Sequence, residues 1–111
     1  MAQAKQDPMM GAAALSAAIH IARDCDGIGL VGGQSEADFL QSASKTLKRQ
    51  GFRRQAVLKL VYYSKAGVLA KATDQLLAGV GASLADKRAL CGHGRKVVGA
   101  NDLVGQFLER N

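Results

Sequence analysis

Apolar positions recur every three or four residues through most of this chain, and that spacing predicts helices. From Pro8 to about Arg23, Met10, Ala13, Ala14, Ala17, Ala18 and Ile21 form a broad apolar face. Asp7 and Pro8 open this helix well, because the carboxylate can accept a free first-turn N–H and proline has none to leave unsatisfied. The next ten residues, DCDGIGLVGG from Asp24 to Gly33, contain four glycines and predict a tight or flexible connector.

Ser35, with Asp38 three residues on, reads as a capping box, and Glu36 suits the positive end of the helix that follows. Leu40, Ala43 and Leu47 make its inward stripe, Lys45, Lys48 and Arg49 lie outward, and Gly51 closes it. Arg53 to about Ala78 is the longest periodic run, with Val57, Val61, Val68, Ala72 and Leu76 on one face. Lys65 falls on that apolar face and Gly67 lies in the interior, so a bend or break is expected around Ser64 to Gly67. Val57 to Tyr63 is also rich enough in β-formers to suit a strand, although helix is the favoured reading. Ser83 and Asp86 form a second capping box, opening a short helix to about Cys91. Gly92 to Lys96 reads as a loop, Val97-Val98 as a brief extended piece, and Asn101 as the cap of a last helix carrying Leu103, Val104, Phe107 and Leu108. The expected fold is all-α, a compact bundle of about five helices with the 53–78 segment at its centre. Residues 1–111 are expected to form a single helical domain, with 1–6 flexible.

Composition supports this reading. The chain of 111 residues is 48% apolar, but only five residues are aromatic and none is Trp, so the core must rest on Ala, Leu and Val. A single proline favours helix, and most of the thirteen glycines stand between helical segments. Met9 to Ala22 follows Lys5 as an apolar run and faintly resembles an export signal. Asp7, Pro8 and His20, and the lack of a clean small-x-small site, favour a core helix instead. The expected location is cytoplasmic, where Cys25 and Cys91 stay reduced.

Charge changes the picture more. The net charge is +6, yet the 35 residues from Phe39 to Thr73 carry eight cations and no acid, while the rest has seven cations against nine acids. A block of this kind suggests an acidic partner or a phosphate backbone; its competitor is an ordinary solvated face. Its centre, KTLKRQGFRRQ from Lys45 to Gln55, sets Lys45, Lys48, Arg49, Arg53 and Arg54 around the Gly51 turn. Lys87, Arg88, Arg95 and Lys96 form a second cluster that would extend the surface if the two shared a face. Phe52, Tyr62 and Tyr63 can stack on bases if exposed, but Phe52 reads better as a core staple, and at least one tyrosine ring is expected to be buried.

Other chemistries fit poorly. Gly27-Ile28-Gly29-Leu30-Val31-Gly32 has the spacing of a phosphate-binding loop but lacks the preceding strand and the downstream acid. Asp24, Asp26 and Gly29 start like a calcium loop whose fifth and twelfth positions would be Ile28 and Ser35, which leaves two ligands missing. Cys91 and His93 suggest a metal or a nucleophile–base pair, with Cys25 and His20 as the remaining ligands; a buried cysteine and a loop histidine explain them more simply. The acids sit mainly at helix starts, and Asp74 and Glu109 read as solvated.

The chain is therefore expected to be a non-enzymatic accessory protein without metal or cofactor, binding nucleic acid through phosphate contacts. The alternative is a protein–protein module (an adaptor, inhibitor or assembly subunit) whose basic surface meets an acidic protein. In that case the Ala-rich first helix could also pack in a homo-oligomer. A small Cys/His metal protein or enzyme is a second alternative. No membrane partner is expected.

Overall fold

Asp7 accepts a hydrogen bond from the Met9 N–H at 2.9 Å and Pro8 takes the first helical position, so α1 (Pro8–Asp24) starts where the sequence places it. The computed structural model describes residues 6–65 and 67–111; most of the terminal segment expected to be flexible lies outside them. Gln6 is described, and its N–H donates to the Gly51 carbonyl at 3.3 Å.

Every residue from Gly11 to Ala18 is buried, so α1 has no solvent face in that stretch. A helix covered all round is a core helix rather than a surface one. Its small side chains let neighbours come close: a Cβ on Gly11 would stand 2.9 Å from the Phe52 ring and 3.0 Å from Val57. This corrects two expectations. The centre of the bundle is α1, not the 53–78 segment, and α1 is covered by its own chain instead of being free for an oligomer.

Ser35 caps α2 (Glu36–Arg49) by accepting from the Asp38 N–H at 3.2 Å. Phe39, Leu40, Ala43 and Leu47 face inward, and Gly51, at φ 99°, lets the chain reverse. The 53–78 run divides as expected into α3 (Arg54–Tyr63) and α4 (Val68–Ala78), both packed on α1. Ser64 is extended and Gly67 is left-handed at φ 88°, a conformation that glycine adopts without a Cβ penalty. The break leaves Lys65 exposed, and residues 57–63 are helical rather than a strand.

The last third departs furthest from the sequence reading. Asp86, accepting from the Ala89 N–H at 3.1 Å, caps α5 (Lys87–Val97), while Ser83 accepts from the Ala85 and Asp86 N–H groups just before it. The expected 92–96 loop is the second half of this helix, and Val97 and Val98 are its last residue and C-cap, not a strand. The glycines mislead because Gly94 is a packing residue. A Cβ there would stand 2.7 Å from Ile21 Cγ2, so only glycine lets α5 lie this close to α1.

No helix starts at Asn101. The Asp102 carboxylate instead accepts from the Val104 and Gly105 N–H groups, a 3₁₀ turn follows at Gly105–Phe107, and the chain ends in β2 (Leu108–Arg110). β2 pairs antiparallel with β1 (Ile28–Leu30), setting Leu30 opposite Leu108 and Ile28 opposite Arg110. The glycine-rich connector thus supplies the three-residue strand β1, and among the described residues the bundle of five α-helices carries a small two-stranded sheet. Phe107 meets Phe39 edge to face at 5.6 Å, joining this sheet to α2.

Cys25 and Cys91 form a disulfide, which corrects the expectation of reduced thiols. Cys25 is the C-cap of α1 and Cys91 lies mid-way along α5, one turn before Gly94 meets Ile21. The close approach of the two helices brings the sulfurs together.

Candidate binding surface

Most of the acid-free stretch folds into a corner made by α2 and α3, and its last part, with Lys65 and Lys71, runs on into α4. Gln41, Lys45, Lys48 and Arg49 are exposed at helical spacing on α2. Arg53, Gln55, Lys59, Tyr62 and Tyr63 are exposed on or beside α3. Both tyrosines point outward, contrary to expectation: Tyr63 is 82% exposed and Tyr62 49%, with ring centroids 6.3 Å apart. They are the last two residues of α3. Phe52 is buried as a core staple and takes no part in the surface.

Arg54 differs from the other cations of the corner. Its Nε donates to Ser44 Oγ at 2.9 Å and one terminal nitrogen donates to Gln41 Oε1 at 2.7 Å, so the guanidinium ties α3 to α2. A planar fork suits this task, since it meets two acceptors at once. Arg49 donates to Thr46 Oγ1, at 3.1 Å, within its own helix. Among the described residues the ion pair present is Arg23 with Glu36, at 2.7 Å, on the far half of α2. The Glu36 hydrogen bond, helped by its charge, raises the Arg23 pKa further above its usual value. Lys45, Lys48, Arg49 and Arg53 have no carboxylate partner among the described residues.

The second cluster is built differently. Lys87 and Arg88 lie in the first turn of α5 and Arg95 in its last. These three line a cavity of about 420 Å³ beside Cys91, but Asp24 and Asp26 line it too, so this patch carries both signs. Lys96 faces another cavity, with His93 and Asp102.

The two clusters do not merge. Gln6 and Phe52 hold the α2–α3 turn at the N-terminal end of α1, whereas the disulfide holds α5 at its C-terminal end. The 17 residues of α1 separate them by about 25 Å along its axis.

Two acids thought to be solvated have fixed partners. Asp74 Oδ1 accepts from the Leu84 N–H at 2.7 Å, pinning the turn before α5, and Glu109 Oε1 accepts from the Gly32 N–H at 3.0 Å, across the sheet. No local sequence signal marks either contact, because both partners are distant in the chain. Cys91 cannot serve as a thiolate ligand or nucleophile while bonded to Cys25, and His93 is a half-buried helical residue, not a loop one. Among the described residues no three potential metal ligands converge, and no helix is long and apolar enough to cross a membrane.

Residues 4–109, from before α1 into β2, match a family described as a family of unknown function (DUF5333). The chain belongs to this family. No curated protein and no solved structure matches it. The matched span takes in both cation clusters and both cysteines.

Proposed function

We propose that this protein is a non-catalytic binding module whose α2–α3 corner docks on an acidic protein surface. One observation carries the reading: Lys45, Lys48, Arg49 and Arg53 are exposed and lack carboxylate partners among the described residues, and α3 continues the exposed surface with Lys59 one helical turn before two outward tyrosines. Folding does not require such a surface. Mutual repulsion among the cations opposes it, whereas an acidic partner would relieve that repulsion and bury the rings. Tyr and Arg are enriched at interfaces because each combines a large contact area with directional hydrogen bonding. The Cys25–Cys91 bond favours an oxidising compartment over the cytoplasm, and there a protein is the more accessible acidic partner.

The exposed tyrosine pair supports nucleic-acid binding as a second reading, since adjacent rings beside cations suit a single strand. Purified protein can decide between them. Binding to an immobilised acidic protein and to a fluorescent oligonucleotide is measured across a salt series. The module reading predicts saturable protein binding that falls when Lys48, Arg49 and Arg53 are reversed to Glu, with weak oligonucleotide binding. Tight oligonucleotide binding with a steep salt slope would reverse the ranking. Absence of both would refute the corner as a binding surface.

A further inference from the structure

Away from the corner, two cavities meet between the end of α4, one side of α5 and the turn capped by Asp102. The larger, about 440 Å³, is lined by Lys96, Val97 and Ala89 among others, and the smaller, about 160 Å³, by Leu76, Leu77, Leu103 and Val104. His93, Val80 and Asp102 line both, so the two are compartments of one cleft. Its smaller compartment is walled mainly by aliphatic side chains, its larger one adds the Lys96 ammonium, and the His93 imidazole lies on both. A ligand site combines an apolar pocket with a few convergent polar groups, and the larger volume falls within the usual range for one.

We infer that this cleft binds a small amphipathic monocarboxylate, with an aliphatic chain among Leu76, Leu77 and Leu103 and its carboxylate at Lys96 and His93. Three features select this class. Five aliphatic side chains, Leu76, Leu77, Val80, Leu103 and Val104, line the smaller compartment and suit an apolar tail, while its polar groups, His93 and Asp102, are the ones shared with the larger compartment. Lys96 has no carboxylate partner among the described residues, so its ammonium is open to an incoming anion. The Asp102 carboxylate already accepts the Val104 and Gly105 N–H groups, yet its charge still disfavours a doubly charged headgroup such as a phosphate monoester. The site is separate from the α2–α3 corner and does not depend on it.

Octanoate is the probe, followed by methyl and amide NMR of the intact oxidised protein, with acetate and octylamine as comparison ligands. Octanoate should shift the methyls of Leu76, Leu77 and Leu103 in a saturable way, acetate should not, and octylamine should bind roughly tenfold more weakly because a charge-assisted hydrogen bond is lost. Lys96→Gln, at an exposed position that leaves the fold intact, should weaken octanoate several-fold, and Lys71→Gln on exposed α4 surface should not. No saturable methyl shift with octanoate would overturn the site. Equal binding of octanoate and octylamine, or no effect of Lys96→Gln, would overturn the carboxylate assignment.

Discussion

Arg54 Nε donates to the hydroxyl of Ser44 at 2.9 Å, and Ser44 in turn donates to the Gln41 carbonyl at the same distance. Ser44 is fully buried, so this polar chain lies at the α2–α3 seam and not on the open surface. An arginine in the centre of a cation-rich motif is thereby committed to holding two helices together, and the docking surface is left to its neighbours.

Arg54→Ala should therefore lower stability, by about 1.5–3 kcal/mol given the usual worth of hydrogen bonds to a charged group. Urea unfolding followed by circular dichroism measures it. Arg54→Lys should recover less than half of that loss, because an ammonium cannot serve Ser44 and Gln41 with one planar fork. Arg53→Ala, at an exposed position, should leave the midpoint nearly unchanged.

Removing the disulfide should have a large effect on stability. The bond closes a loop with a sequence separation of 66, and the chain-entropy relation assigns such a loop about 4 kcal/mol. Cys25→Ser/Cys91→Ser should lower the melting temperature by roughly 15–20 °C for a domain of this size. Thiol titration of the native protein should find no free sulfhydryl. A reactive thiol in the untreated protein, or an unchanged melting temperature under reductant, would contradict the bond.

Glycines within one helix should respond in opposite directions. Gly94→Ala would place a methyl 2.7 Å from Ile21 Cγ2 and 3.2 Å from Ile28 Cδ1. Ile21 is fully buried and β-branched, so it has little room to yield, and overpacking should outweigh the gain in helix propensity by about 1–2 kcal/mol. Gly92 is exposed in the same helix, and a Cβ there meets nothing within 4 Å. Gly92→Ala should stabilise by about 0.5–1 kcal/mol. Thermal melts of the two single variants distinguish a packing glycine from a merely tolerated one.

The same contrast explains what could be read from the sequence. The caps at Asp7 and Ser35 and the break at Ser64 to Gly67 were legible because each depends on neighbours within about one helical turn. Gly92-His93-Gly94 suggested a loop, since intrinsic propensity penalises glycine in a helix; the compensating contact with Ile21 is tertiary. β1 and β2 are three residues each and pair across most of the chain, so neither had enough alternation to register. At the candidate surface, charge density was legible from Lys45 to Arg54. The division of labour within it was not, because it depends on which cation finds Ser44 and Gln41 in the folded state.

Phe52 and Tyr63 provide the final test, since they are aromatic residues of the same basic region with opposite environments. Phe52 is 3% exposed and packs on Gly11, so Phe52→Ala should cost about 3–5 kcal/mol through the cavity it leaves. Tyr63→Ala, at 82% exposure, should change stability by less than about 0.5 kcal/mol. Partner binding should rank the other way: Tyr63→Ala should weaken docking on an acidic protein several-fold while the protein stays folded. The two effects separate in one experiment if affinity is measured well below each variant's melting temperature. A Tyr63→Ala variant that binds as the wild type does would take the Tyr63 ring out of the docking surface and leave docking to the cations of the corner.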